Sequence, residues 1–130
     1  MEKSQQMTSD LVCGELDWIC EKLDINRKRF QNNFPSACSE LGRYRIKGND
    51  DWTNGFWTGM LWMAYLHTGD ETFKTLALDN VESFRKRLSD HYVLDHHDIG
   101  FLYSPSVVAG YRITDVYKRQ LLSIPLWSAP

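Results

Sequence analysis

The sequence predicts an all-α fold of stacked helical hairpins, and three observations carry that expectation. Apolar residues recur at helical spacing in several separate segments, an almost wholly apolar segment is followed directly by a one-sided one, and the pattern restarts about 45 residues later. A single hairpin cannot bury its own faces, so such units pack side by side on a shared core.

Val12, Leu16, Ile19 and Leu23 are spaced by four, three and four and predict an amphipathic helix over 11–27, with Thr8, Ser9 or Asp10 as its cap. From Phe30 to Asp51 no period persists, and Pro35, Gly42 and Gly48 mark a long connection in which Tyr44, Arg45 and Ile46 form at most a short extended piece. Between Phe56 and Leu66 nine of eleven residues are apolar or aromatic, which predicts a helix buried on every side. It ends at Thr68-Gly69-Asp70, where Gly69 can take a left-handed cap and Asp70 can cap the next helix. There Phe73, Ala77, Val81, Phe84 and Leu88 make one stripe, with Lys74, Asp79, Glu82, Arg85 and Lys86 off it. A loop from about 89 to 104 leads to Ser104-Pro105, read as a cap and a first-turn proline for a helix from Ser106.

The second unit echoes the first. Gly55-Phe56-Trp57 returns as Gly100-Phe101-Leu102 after 45 residues, and Ala64-Tyr65 to Thr68 returns as Gly110-Tyr111 to Thr114 after 46. Residues 1–114 therefore read as one portion of a larger helical domain. Beyond Thr114 neither period nor cap logic persists, and Asp115-Val116-Tyr117-Lys118-Arg119-Gln120 is similar to the translation of a transposase-recognition end used in sequencing libraries. Residues 115–130 are accordingly read as a foreign tail. The other reading is a genuine apolar tail that packs on a partner.

Composition narrows the partners. With 42% hydrophobic and 25% charged residues the chain is an ordinary folded domain, too apolar for intrinsic disorder. A net charge of -2 provides no excess of cations to track a phosphate backbone, so nucleic acid is not expected as a partner. The uncharged run that starts at Thr53 is too short and too interrupted to span a bilayer, and the opening Met-Glu-Lys-Ser-Gln-Gln is no secretory leader; no membrane partner and a cytoplasmic location are expected. Cys13, Cys20 and Cys38 are odd in number and lack metal-ligand spacing, so they are expected as reduced, packed thiols.

Two constellations carry polar chemistry. Asp95-His96-His97-Asp98-Ile99-Gly100-Phe101 lies on a loop before a buried helix, where function concentrates. The alternative is that Asp95 and Asp98 cap turns and the histidines are ordinary surface residues. Metal binding is the weaker option, since adjacent histidines diverge and no His-x-x-x-His spacing is present. Asn49-Asp50-Asp51-Trp52-Thr53-Asn54-Gly55-Phe56 puts an aromatic at a helix mouth, suited either to stacking on a sugar ring or to closing the core. Trp52 and Asp98 are 46 residues apart, close to the repeat distance, so both constellations are expected to face one cavity.

Together, Asp51-Trp52-Thr53-Asn54-Gly55-Phe56-Trp57-Thr58-Gly59-Met60-Leu61-Trp62, then Tyr65 to Thr68-Gly69-Asp70, then Asp95 through Pro105 resemble the unsaturated glucuronyl hydrolases, a glycoside hydrolase family. The resemblance implies an (α/α)6 barrel of six hairpins, of which this chain would be the N-terminal portion. It implies hydrolysis of unsaturated uronic-acid oligosaccharides left by polysaccharide lyases, through hydration of the C4=C5 enol ether, with no cofactor. Residue by residue it places a catalytic aspartate on Asp98 and substrate contacts on Trp52, His97 and Phe56. The family's general acid and base belongs to the following repeat, and Asp115, in the suspect tail, is not assigned that role. Unsaturated rhamnogalacturonyl hydrolases share the fold and are one alternative. A non-enzymatic helical-repeat module that binds peptide or protein is the other.

Overall fold

The computed structural model describes residues 2–114, so the tail expected over 115–130 lies outside the described residues. Helix α1 (Glu2–Phe30) leads into an antiparallel hairpin, β1 (Phe34–Glu40) and β2 (Arg43–Lys47), followed by α2 (Asn54–Thr68) and α3 (Glu71–Ser89). A last rod is made of α4 (Ile99–Tyr103), a π-helical turn (Ser104–Val108) and α5 (Ala109–Ile113), with helical dihedrals at both junctions. Helix α2 is central and packs against α1, β1, α3 and the last rod.

Helix α1 begins well before its expected cap and runs straight through Thr8, Ser9 and Asp10. Its buried stripe is Cys20, Leu23 and Phe30, while Val12 and Ile19 are exposed. Asp17 already pairs with His67 in the last turn of α2 at 2.7 Å, and residues 5–15, which precede that contact, are exposed. The cysteines are corrected in part, Cys13 because it lies on this exposed stretch of α1 and Cys38 because it lies on the exposed part of β1. Only Cys20 is packed, with burial raising its thiol pKa first and Asp17 second; Cys13 and Cys38 are free and exposed.

The connection over 30–51 is more ordered than its composition indicates. Phe34↔Lys47 and Glu40↔Arg43 pair across the hairpin, and the register slips between Pro35 and Ser39. Buried Ser36 fills the slip, its Oγ accepting the Arg45 N–H at 2.9 Å and donating to Cys38 O. The turn uses positive φ at Leu41 and Gly42, matching a primed hairpin turn. Phe34 anchors β1 on α3, 5.6 Å from the Phe84 ring, and Phe30 meets Trp57 edge-on at 5.3 Å.

The α2–α3 hairpin forms as its sequence predicts. Gly69 caps α2 at φ 70°, its N–H donating to Tyr65 O, and Asp70 caps α3 by accepting the Thr72 N–H at 2.9 Å. Phe73, Ala77, Val81 and Phe84 are buried. Leu88 is not: it is exposed, and Arg87 takes the inward place. Helix α2 also departs from burial on every side, because Phe56, Met60, Met63 and Leu66 line one open face. Its other faces hold Trp57, Leu61, Trp62 and Ala64, and Asn80 Nδ2 donates to buried Thr58 Oγ1 across the α2–α3 interface.

The helix expected from Ser106 begins at Ile99 instead. Pro105 falls inside it, where a regular turn would drive the ring into the carbonyl of Phe101; the backbone opens there into the π turn. This rod lies tightly on α2. A Cβ added at Gly55 would come within 2.3 Å of Phe101 O, one at Gly59 within 3.0 Å of Pro105, and one at Gly110 within 2.7 Å of the Trp62 ring. Trp62 Nε1 donates to Ser106 O at 2.8 Å across the same contact.

Repeat-equivalent residues behave alike. Trp57 and Leu102 are both buried, Phe56 and Phe101 both exposed, and Thr68 and Thr114 each donate to the carbonyl four residues back.

Candidate functional site

The α2–rod contact brings the two sequence constellations to one end of the molecule. Trp52, Phe56 and Phe101 form an aromatic trio with ring centroids 5.9 Å, 6.0 Å and 5.8 Å apart, each ring 40–51% exposed. Rings so placed present apolar faces while remaining supported by one another. Beside them a shallow depression of about 700 Å³ is lined by Phe56, His97, Gly100, Phe101, Ser104 and Pro105.

Asp98 is the residue that precedes α4, and its side chain is largely covered. His97 stands almost fully in solvent, with Nε2 3.5 Å from Asp98 Oδ1. His96 turns inward, and its Nδ1 accepts the Asp98 N–H at 3.2 Å, so the proton of a neutral ring belongs on Nε2. That Nε2 is buried without a hydrogen-bond partner among the described residues. Of the four residues singled out in the sequence, Phe56 and His97 line the depression, Trp52 adjoins it through Phe56 and Phe101, and Asp98 sits behind His97. No group of three or more His, Cys, Asp or Glu able to hold a metal occurs among the described residues.

Two supporting features escaped the sequence reading. Phe101 completes the trio, and the repeat offered the signal, since it is the equivalent of Phe56. Arg87, 3% exposed, reaches from the end of α3 to both loops. Its Nη1 donates to Asn49 Oδ1 at 3.1 Å and to Asp51 O at 3.0 Å, its Nε to Tyr92 O at 3.1 Å, and its Nη2 to Val93 O at 2.7 Å. Burial draws its pKa below the ordinary arginine value, opposed by the nearby Tyr103, Asp50, Tyr92 and Asp51. The Trp52 loop is further fixed by the buried Asn54 carboxamide, which lies 3.2–3.3 Å from Gly48 O, Asn49 Oδ1 and the N–H groups of Asp50 and Asp51.

The described residues are stacked helices of the kind from which an α/α barrel is built, with exposed aromatic rings and a carboxylate gathered at one end. The chain is 45% identical over 115 residues to the unsaturated chondroitin disaccharide hydrolase of Streptococcus agalactiae serotype III (strain NEM316), covering 88% of this chain and 29% of that protein. It is 49% identical over 84 residues to the unsaturated glucuronyl hydrolase of Bacillus sp. (strain GL1), covering 65% of this chain and 22% of that one. A crystal structure of a variant of the Streptococcus agalactiae unsaturated glucuronyl hydrolase, complexed with dGlcA-GalNAc6S, superposes with a TM-score of 0.75 at 40% identity, over 86% of this chain and 31% of that one. No family model matches the chain. By sequence and by fold the chain is similar to the unsaturated glucuronyl hydrolases, and it spans 22–29% of the length of the curated relatives it matches.

Proposed function

We propose that the complete protein carrying these residues hydrolyses oligosaccharides that end in an unsaturated glucuronyl unit. The observation that carries this reading is the meeting, at one end of the α2–rod contact, of the exposed Trp52, Phe56 and Phe101 rings with His97 and Asp98. Exposed rings supply stacking for the sugar's apolar face, and His97 supplies a polar contact to the uronate. Asp98 is one catalytic carboxyl at the reacting end, and the general acid and base belongs to the repeat that follows.

The reaction differs from ordinary glycoside hydrolysis, in which two carboxyl groups act at the anomeric carbon. Protonation of the enol ether at C4 develops positive charge at C5, shared with the ring oxygen. Water adds at C5 and gives up its proton, and the resulting hemiketal opens and releases the second sugar. One carboxyl must be protonated to start and able to accept a proton afterwards.

Replacing Asp98 by Asn in the complete protein is expected to lower kcat by about 10²-fold or more, followed as loss of the alkene's ultraviolet absorbance in an unsaturated chondroitin disaccharide. Trp52→Ala is expected to raise KM about tenfold, the scale of one lost stacking contact. Unchanged rates in Asp98→Asn sink the assignment. Unchanged KM in Trp52→Ala, with a peptide bound instead, favours the helical-repeat module.

Residues 115–130 are proposed to be foreign, a point that resequencing the gene past the codon for Thr114 decides. No helix among the described residues is long and apolar enough to cross a membrane. A cytoplasmic location is part of the proposal, and cell fractionation tests it.

A further inference from the structure

We infer that Arg87 is the positioning residue of this site, holding the loop that carries Trp52 in register with the loop that carries His97 and Asp98. The inference rests on the proposed uronide-hydrolase reading and extends it to a residue in the last turn of α3, which leads directly into the second loop and is remote in sequence from the first.

Arginine has five N–H donors in a rigid fork. At Arg87 the donors reach four oxygens, two from the 49–51 segment and two from the 92–93 segment. Every one is an uncharged oxygen of main chain or amide, so the guanidinium serves as a template for loop geometry rather than as half of an ion pair. Among the described residues no carboxylate pairs with it, although Asp50 and Asp51 lie near enough to favour its charge.

The second loop needs such a template. His91 and Val93 both adopt positive φ, 52° and 48°, and for β-branched Val93 that conformation is strained. Arg87 binds the carbonyls of Tyr92 and of Val93 itself, which selects the strained path that delivers Asp95 to Asp98 to the helix start. On the first loop, Asn49 Oδ1 takes the Arg87 bond while Asn49 Nδ2 donates to Ser83 Oγ at 3.0 Å, and Asp51 O is the acceptor one residue before Trp52. A lysine retains the charge but offers a point donor in place of the fork.

The test compares Arg87→Lys with Val81→Ala in the complete protein. Val81 is a buried apolar residue of the same helix whose truncation lowers stability without removing a side-chain hydrogen bond to either loop. Arg87→Lys is expected to raise KM for an unsaturated chondroitin disaccharide about tenfold and to lower kcat, whereas Val81→Ala leaves both within about twofold. The Trp52 indole N–H and His97 ring resonances are expected to shift in Arg87→Lys and to stay in place in Val81→Ala, a readout that requires no turnover. Equal effects in the two variants, or none in Arg87→Lys, overturn the inference. Should Arg87→Lys fail to fold, Asn49→Ala, which removes one acceptor, decides by the same resonances and an expected rise in KM of about threefold; its silence also overturns it. A parent protein that leaves unsaturated disaccharides intact instead defeats the functional reading, and the resonances then judge Arg87 on their own.

Discussion

Single residues show how local chemistry was legible and long-range chemistry was not. Gly69 and Asp70 could be assigned from sequence because a helix cap is satisfied within three or four residues. The Asp70 carboxylate also yields a pH prediction. Bonds from the Thr72 hydroxyl and then its N–H hold its pKa below the usual aspartate value. Its contribution to stability is therefore complete above the unfolded value, about 3.9, and is lost as pH falls through the lower folded value. Thermal melts of Asp70→Ala against the parent are expected to show a Tm deficit at neutral pH that shrinks below about pH 3.9; a constant deficit contradicts the assignment. Arg87 and Trp62, in contrast, find their partners through tertiary packing. Two of the Arg87 acceptors lie 36 and 38 residues away and that of Trp62 lies 44 away, and nothing in the neighbouring sequence announces those three.

At the scale of elements, the repeat was a better guide than the proline. Ser104-Pro105 looked like a helix start because proline suits a first turn. Yet Asn54 begins α2 one residue before Gly55, and Ile99 begins the last rod one residue before Gly100, as the 45-residue spacing required. Proline is tolerated inside the rod because the π turn removes the clash with the Phe101 carbonyl. The hairpin was legible only in part, as the short piece at 44–46, because β1 buries little beyond Phe34 and Ser36 and so lacks alternation. Helix contact also makes Gly55 irreplaceable. A methyl there meets two main-chain oxygens, at 2.3 Å and 2.4 Å, that cannot rotate away. Gly55→Ala is expected to cost about 3 kcal/mol, read as a lower denaturant midpoint, and to loosen the Phe56–Phe101 pair. A midpoint equal to the parent's contradicts the tight crossing.

For the whole molecule, the described residues expose apolar surface on two elements at once. Leu11, Val12 and Trp18 on α1, and Met60, Met63 and Leu66 on α2, are each more than 40% exposed. Trp18, Ile19, Phe56 and Met60 also line an open groove of about 460 Å³ between α1, the hairpin and α2. Relatives more than three times as long have further chain with which to cover such surface. Residues 2–114 expressed alone are expected to bind a hydrophobic dye and to sediment as species larger than a monomer. A dye-silent monomer contradicts the reading of these faces as interior surface.

By itself the sequence determined the helical hairpin, its caps, the 45-residue repeat and the family resemblance, and it nominated Trp52, Phe56, His97 and Asp98 as candidates. These depend on spacing and on short-range hydrogen bonds, which a linear pattern records. Only the tertiary structure decided which face of α2 stays open, where the last helix begins, that Phe101 packs with Trp52 and Phe56, and that Arg87 bonds to both loops. Those features depend on which segments meet across the glycine-lined crossing of α2 and the rod. Contact there is set by backbone approach within a few ångströms, a quantity that no residue's own neighbours in the chain encode.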